Sequence, residues 1–196
     1  MFVLNFLKYM FLYYIKTIKK IFLLAKNKYF KKMRKTLSNI LNNLKDKNIF
    51  LLHNDLFHFE TFNSINCGIT EPTTISISAG LASQGKTVFV YSVAGFSLYR
   101  AFDQIKYYLT KSCNPNCKKL YKGKVILLIA GAGDCVDVYP KYMGESHRIR
   151  DDDKLAELLD VNLYSPKNKE EFRKLIHELL KKDFDFCIVR LGRDDL

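Results

Sequence analysis

A chain of 196 residues that is 48% apolar holds enough hydrophobic residues for one α/β domain and an extension, which argues against a disordered chain. Its net charge of +12 does not indicate a nucleic-acid binder: residues 1 to 32 carry eight lysines and no acid, which leaves only +4 on the remainder, and no nucleic-acid-binding motif occurs there. Cys67, Cys113, Cys117, Cys135 and Cys187 are scattered, and Cys113 and Cys117 have no second ligand pair, so neither a zinc site nor a disulfide framework is expected. Reduced thiols and a cytoplasmic setting fit that pattern.

Phe2 to Ile15 is nearly all large and apolar, but Lys8 interrupts it and Lys16, Lys19 and Lys20 end it. About 14 residues fall short of the roughly 20 that a membrane-crossing helix needs. A signal peptide would place its positive charge before the apolar run and small residues after it. Wound as a helix, Asn5, Lys8, Lys16, Lys19, Lys20, Lys26 and Asn27 gather on about a third of the circumference, with Tyr9, Leu12 and Leu23 intruding. Two readings stand: a helix placed on an anionic membrane surface or a partner, giving peripheral membrane association, or an extension upstream of a natural start at Met33. Residues 1–32 are therefore set apart from a folded domain over 33–196.

From Met33 the pattern alternates. Leu37, Ile40, Leu41 and Leu44 have helical spacing over 34–45, and 48–53 reads as a short buried strand with Asp55 at its C-terminal end. Gly68-Ile69-Thr70-Glu71 opens an apolar helix that runs to about Gly85, with Pro72 where its missing N–H costs nothing. Thr87 to Tyr91 is a strand, Phe96 to Leu109 a helix, 112–123 a polar loop, and Val125 to Ala130 a strongly apolar strand. A long polar stretch, 131–150, precedes a helix over 151–159, a strand over 161–164, a helix over 168–181 and a closing strand over 186–190. Apolar strands alternating with amphipathic helices imply an α/β fold: a three-layer, mainly parallel sheet flanked by helices. Ligands then bind beyond the strand C-terminal ends, where Asp55, the 67–71 turn, the 92–96 turn and the 131–150 loop would gather.

Taken residue by residue, the chemistry is ambiguous. Glu71 in a first helical turn gains about 0.3–1 kcal/mol from the macrodipole, and that alone would explain it. Gly131-Ala132-Gly133-Asp134 holds part of a dinucleotide-binding pattern, without the third glycine or a clear following helix. His147 reads equally as a solvated loop histidine.

The motifs in succession say more. Cys67-Gly68-Ile69-Thr70-Glu71, Ala79-Gly80-Leu81-Ala82, Val90-Tyr91-Ser92 with Phe96, and Arg100-Ala101-Phe102-Asp103-Gln104-Ile105 resemble the pyrimidine-binding domain of transketolase-like and 1-deoxyxylulose-5-phosphate synthase-like, thiamine-diphosphate-dependent enzymes. Gly144-Glu145-Ser146-His147 is similar to that family's Gly-Pro-Thr-His element, Asp152 follows at a matching distance, and Tyr164-Ser165-Pro166 and Val189-Arg190-Leu191 resemble its closing strands. The resemblance runs in unbroken order over about residues 33 to 193.

It implies that Glu71 hydrogen-bonds a ring nitrogen of the aminopyrimidine, favouring the imino tautomer whose nitrogen removes the thiazolium C2 proton. It implies that Phe96 stacks on the pyrimidine, that Asp55 lies near the thiazolium side, that His147 meets a sugar hydroxyl or carbonyl, and that Arg100 reaches a substrate phosphate. Glu145 and Ser146 depart from the family's proline and threonine, and Pro72 from its usual polar residue, which leaves substrate choice open. Nothing here resembles the Gly-Asp-Gly…Asn segment that holds magnesium and the diphosphate, nor the family's third domain. The implied protein is one subunit of a split, hetero-oligomeric transketolase, with Mg2+ held by the partner subunit that carries the diphosphate domain and no metal ligand of its own. The alternative is a degenerate, non-catalytic module serving assembly or membrane-surface placement of a partner.

Overall fold

The computed structural model describes residues 31–55, 59, 61–132 and 149–191, apart from the side chains of residues 31, 32 and 113. Helix α1 (Lys31–Leu44) precedes strands β1 (Ile49–His53) and β2 (Ser64–Asn66), helix α2 (Glu71–Ser83) and strand β3 (Thr87–Val93). A broken helical run follows: a π turn Phe96–Arg100, the short α3 (Phe102–Gln104) and a second π turn Ile105–Leu109. The chain continues through β4 (Lys124–Ala130), α4 (Asp152–Leu158), β5 (Asn162–Tyr164), α5 (Lys169–Lys181) and β6 (Phe186–Leu191).

All six strands are parallel in one sheet, in the order β2-β1-β3-β4-β6-β5. Strict alternation along each strand divides the core between the two faces. Val88 and Val90, Val125, Leu127 and Ile129, and Ile188 meet α2, the 96–109 run and α4 on one face. Phe89 and Tyr91, Ile126 and Leu128, and Cys187 and Val189 meet α1 and α5 on the other. That is the expected three-layer α/β architecture, and a fully buried side chain of this size contributes about 1.5–3 kcal/mol.

The helices form because their apolar residues fall on one stripe. Met33, Leu37, Ile40 and Leu41 of α1 are buried, as are Phe172, Ile176 and Leu179 of α5. Helix α5 is also capped: the Asn168 side chain accepts hydrogen bonds from the backbone N–H groups of Glu170 (3.1 Å) and Glu171 (2.9 Å). Among the described residues no helix is long and apolar enough to cross a membrane. The amphipathic segment expected within residues 1–32 lies outside the described residues as far as residue 30, and so does most of the 131–150 stretch.

The chain goes from β1 outwards to β2 and then crosses to β3 on the other side of β1. The sheet therefore changes direction between β1 and β3. In open parallel sheets that switch point, at the strand C-terminal ends, is where a crevice for ligands opens.

Candidate active site

The segment that delivers Glu71 is held at both ends. Cys67 N–H donates to the His53 carbonyl (2.8 Å), Gly68 N–H to the Asn66 side chain (2.9 Å) and the Thr70 hydroxyl to the Cys67 carbonyl (2.6 Å). Gly68 adopts φ +69°, the left-handed region that costs other L-residues about 1–2 kcal/mol. Asn54, at the end of β1, locks this turn to the sheet: its Nδ2 donates to the Gly68 carbonyl (3.0 Å) and to Thr74 Oγ1 (2.9 Å). The Thr70 hydroxyl donates to Cys67 and accepts no bond from the first turn, so α2 has no side-chain N-cap, and that turn carries Glu71.

Glu71 is only 3% exposed. Among the described residues its charged partner is Arg100, whose Nη1 lies 3.7 Å from Glu71 Oε2 and whose side chain is 53% exposed. The same guanidinium lies over the Phe96 ring, with Cζ 4.3 Å from the ring centroid. Three of the residues singled out in the sequence, Glu71, Phe96 and Arg100, thus converge in one place, on α2 and the π turn that follows β3. Turns of this kind insert an extra residue into a helix and are frequent at functional sites. Here the wide turn is anchored by Ser97, whose buried hydroxyl donates to the Val93 carbonyl (3.0 Å).

The other buried carboxylate is treated differently. Asp152, fully buried at the start of α4, accepts a 2.6 Å bond from Arg190 Nε, and Arg190 Nη1 donates to Ser165 Oγ (3.0 Å). A buried charge needs such pairing, since an unpaired one is strongly disfavoured. Asp152 has it through Oδ2, while its Oδ1 is buried with no hydrogen-bond partner among the described residues; the charged partner of Glu71 among the described residues is a half-exposed arginine at longer range.

Asp55 is exposed beside the same turn, where it accepts from Asn66 Nδ2 (3.2 Å), and its N–H donates to the Gly68 carbonyl (3.3 Å). Its place at the β1 end agrees with the expected edge. His147, with Gly144, Glu145 and Ser146, lies outside the described residues. Two polar groups at the same edge have no role assigned from the sequence, although Ser92 closes the Val90-Tyr91-Ser92 motif: Asn54 Oδ1 and Ser92 Oγ are buried and have no hydrogen-bond partner among the described residues. Their position hints at them, since each follows or ends a buried strand run.

This sheet edge suits the pyrimidine half of thiamine diphosphate. It offers a buried carboxyl, an aromatic face beside it and unsatisfied polar atoms at strand ends. The metal half finds no counterpart: no cluster of His, Cys, Asp and Glu able to hold a metal ion occurs among the described residues.

Comparison with known proteins points to transketolases. No family model matches the chain. It is 33% identical over 129 residues to a subunit of apulose-4-phosphate transketolase from Phocaeicola vulgatus, an overlap covering 66% of this chain and 37% of that relative. Among solved structures it is similar to a split-gene transketolase described as an inactive beta4 tetramer (23% identity, TM-score 0.65, covering 85% of this chain and 52% of that one). It is also similar to a transketolase variant from Pichia stipitis (13% identity, TM-score 0.65, covering 84% and 26%) and to the transketolase of Campylobacter jejuni (16%, TM-score 0.61, covering 90% and 30%). The resemblance to the pyrimidine-binding domain of split transketolases is therefore borne out, in fold and in sequence, and the chain spans about a third of the curated relative's length.

Proposed function

We propose that this chain is the pyrimidine-side subunit of a split, thiamine-diphosphate-dependent transketolase-like transferase. The observation that carries the reading is the buried Glu71 carboxylate, set beside an aromatic face and left without the close pairing that Asp152 receives. A buried carboxyl within reach of a ligand at the end of a sheet is placed to serve as a general acid or base. The relative named as a transketolase subunit and the neighbour described as a split-gene enzyme support a division of the enzyme between two chains.

In this reading thiamine diphosphate supplies the carbon nucleophile that carries a ketol unit between sugar phosphates. Glu71 binds the ring nitrogen of the pyrimidine and keeps a proton at its carboxyl oxygen. Phe96 gives the ring a flat apolar support, Asp55 lies towards the thiazolium side, and His147 and Arg100 serve the substrate. The gathered α2 turn and the π turn exclude water from the carboxyl. Magnesium and the diphosphate belong to a partner subunit.

The test is co-expression with a diphosphate-domain chain, followed by calorimetric titration of the purified pair with thiamine diphosphate and Mg2+. Saturable binding by the pair, and far weaker binding by this chain alone, is expected. A stable pair that does not bind the cofactor overturns the proposal. A non-catalytic assembly module would instead pair with its partner and tolerate loss of Glu71.

A further inference from the structure

In this chain the guanidinium of Arg100 fills the space between the Phe96 face and the Glu71 carboxylate, with Cζ 4.3 Å above the ring and Nη1 3.7 Å from Oε2. A guanidinium shares with an aminopyrimidine a flat delocalised plane that can lie on an aromatic face. A ring stacked on Phe96 would have its centroid within about 4.5–7 Å of the phenyl centroid, and a hydrogen bond to Glu71 would bring its edge to about 2.7–3.2 Å of the carboxylate. On the Phe96 face that Arg100 covers, a ring meeting both requirements would need the guanidinium's place.

Of the three residues, only Arg100 is free to yield. Glu71 is held by the 66–70 turn and by the bonds of Asn54, and Phe96 is partly buried on a turn anchored through Ser97. Arg100 is 53% exposed and its contact to Glu71 is longer than a hydrogen bond. A structural ion pair in the same fold looks different: Arg190 is 23% exposed and bonds the fully buried Asp152 at 2.6 Å.

We propose that Arg100 is a displaceable placeholder, which occupies the aminopyrimidine slot in the free chain and must swing outwards before the cofactor ring can enter. This rests on the reading of Glu71 and Phe96 as the pyrimidine-binding pair. It gives the free subunit a way to keep an acid buried: the cation compensates the Glu71 carboxylate, and as the ring enters Glu71 takes a proton from solvent and donates it in the bond to the ring nitrogen. It also makes Arg100 an opponent of cofactor binding until it has swung out towards the substrate, whereas an arginine that served a substrate phosphate alone would leave the ring's affinity unchanged.

The experiment compares the full chain with its Arg100→Ala and Glu71→Gln variants, alone and assembled with a diphosphate-domain partner. The free chains are titrated with the hydroxymethyl aminopyrimidine half of thiamine by ligand-observed NMR, and the assembled pairs with thiamine diphosphate and Mg2+ by calorimetry. Losing an exposed ion pair and one cation–π contact predicts that Arg100→Ala binds either ligand roughly 3- to 30-fold more tightly than the wild type. Raising salt from about 50 to about 500 mM should tighten pyrimidine binding by the wild type and leave Arg100→Ala flat, because salt weakens only the pair being displaced. Equal or weaker binding by Arg100→Ala, with Glu71→Gln abolishing binding, overturns the placeholder and leaves the site reading standing. Absence of binding by every variant, alone and assembled, overturns both.

Discussion

Two buried carboxylates define the chemistry of this chain by contrast. Asp152 is paired closely and serves structure; Glu71 is exposed to almost no solvent and is met by one half-exposed arginine. What holds Glu71 in place is backbone geometry, above all Gly68 at φ +69°. A methyl group at Gly68 meets no atom within 4 Å, so Gly68→Ala carries only the left-handed backbone cost. Urea unfolding should report a loss of about 1 kcal/mol with an unchanged slope. Cys187 offers a second check. Burial pushes its thiol from the usual 9.0 up to about 12, with Lys124 and Lys182 acting weakly in the opposite sense. Native protein at pH 8 should therefore leave Cys187 unmodified by iodoacetamide while the partly exposed Cys67 and Cys117 react, and urea should abolish the difference in a mass-spectrometric readout. The unfolded thiol gives up its proton near pH 9 and the folded one does not, so this group's contribution to stability is complete below pH 9 and declines as pH rises towards 12.

The elements bring these residues together because every strand ends on the same edge. Parallel pairing puts the ends of β1, β3, β4 and β6 side by side, and Asn54 at the end of β1 is tied to the helix that carries Glu71 next to the direction change between β1 and β3. The Asp152–Arg190 pair fastens the start of α4 to the end of β6 at that edge. Replacing Arg190 by Met leaves Asp152 buried without its cation, and thermal unfolding should show a loss of about 3 kcal/mol. Most of this order is legible in the sequence. The buried strands 87–91, 125–130 and 186–190 are continuous apolar runs, and helices 34–45 and 168–181 carry clean 3.6-residue stripes. Strand β2 escapes such a reading because its three residues, Ser64 to Asn66, are half-exposed or exposed and owe their conformation to pairing with β1. The two π turns escape it for a different reason: an inserted residue within 96–109 leaves the apolar spacing close enough to helical to read as one helix. Glu71 and Phe96 are legible from motifs, but no local pattern tells that Arg100 would reach a carboxylate 29 positions earlier.

As a whole the molecule is a sheet covered on both faces by its own helices, with Glu71, Phe96 and Asp55 at or beside the edge where its strands end. In the proposed reading these residues serve the pyrimidine side, and a partner chain brings the rest. A carboxylate kept buried at such an edge is costly to stability unless it works. The most direct measurement is therefore turnover of the assembled pair, wild type against Glu71→Gln, followed as ketol transfer between sugar phosphates at saturating thiamine diphosphate. Removing a proton-handling carboxyl predicts a fall in kcat of about 10²- to 10⁴-fold, with the pair still assembled and as stable as the wild type or more so. An unchanged kcat in the Glu71→Gln pair would contradict the account at its centre.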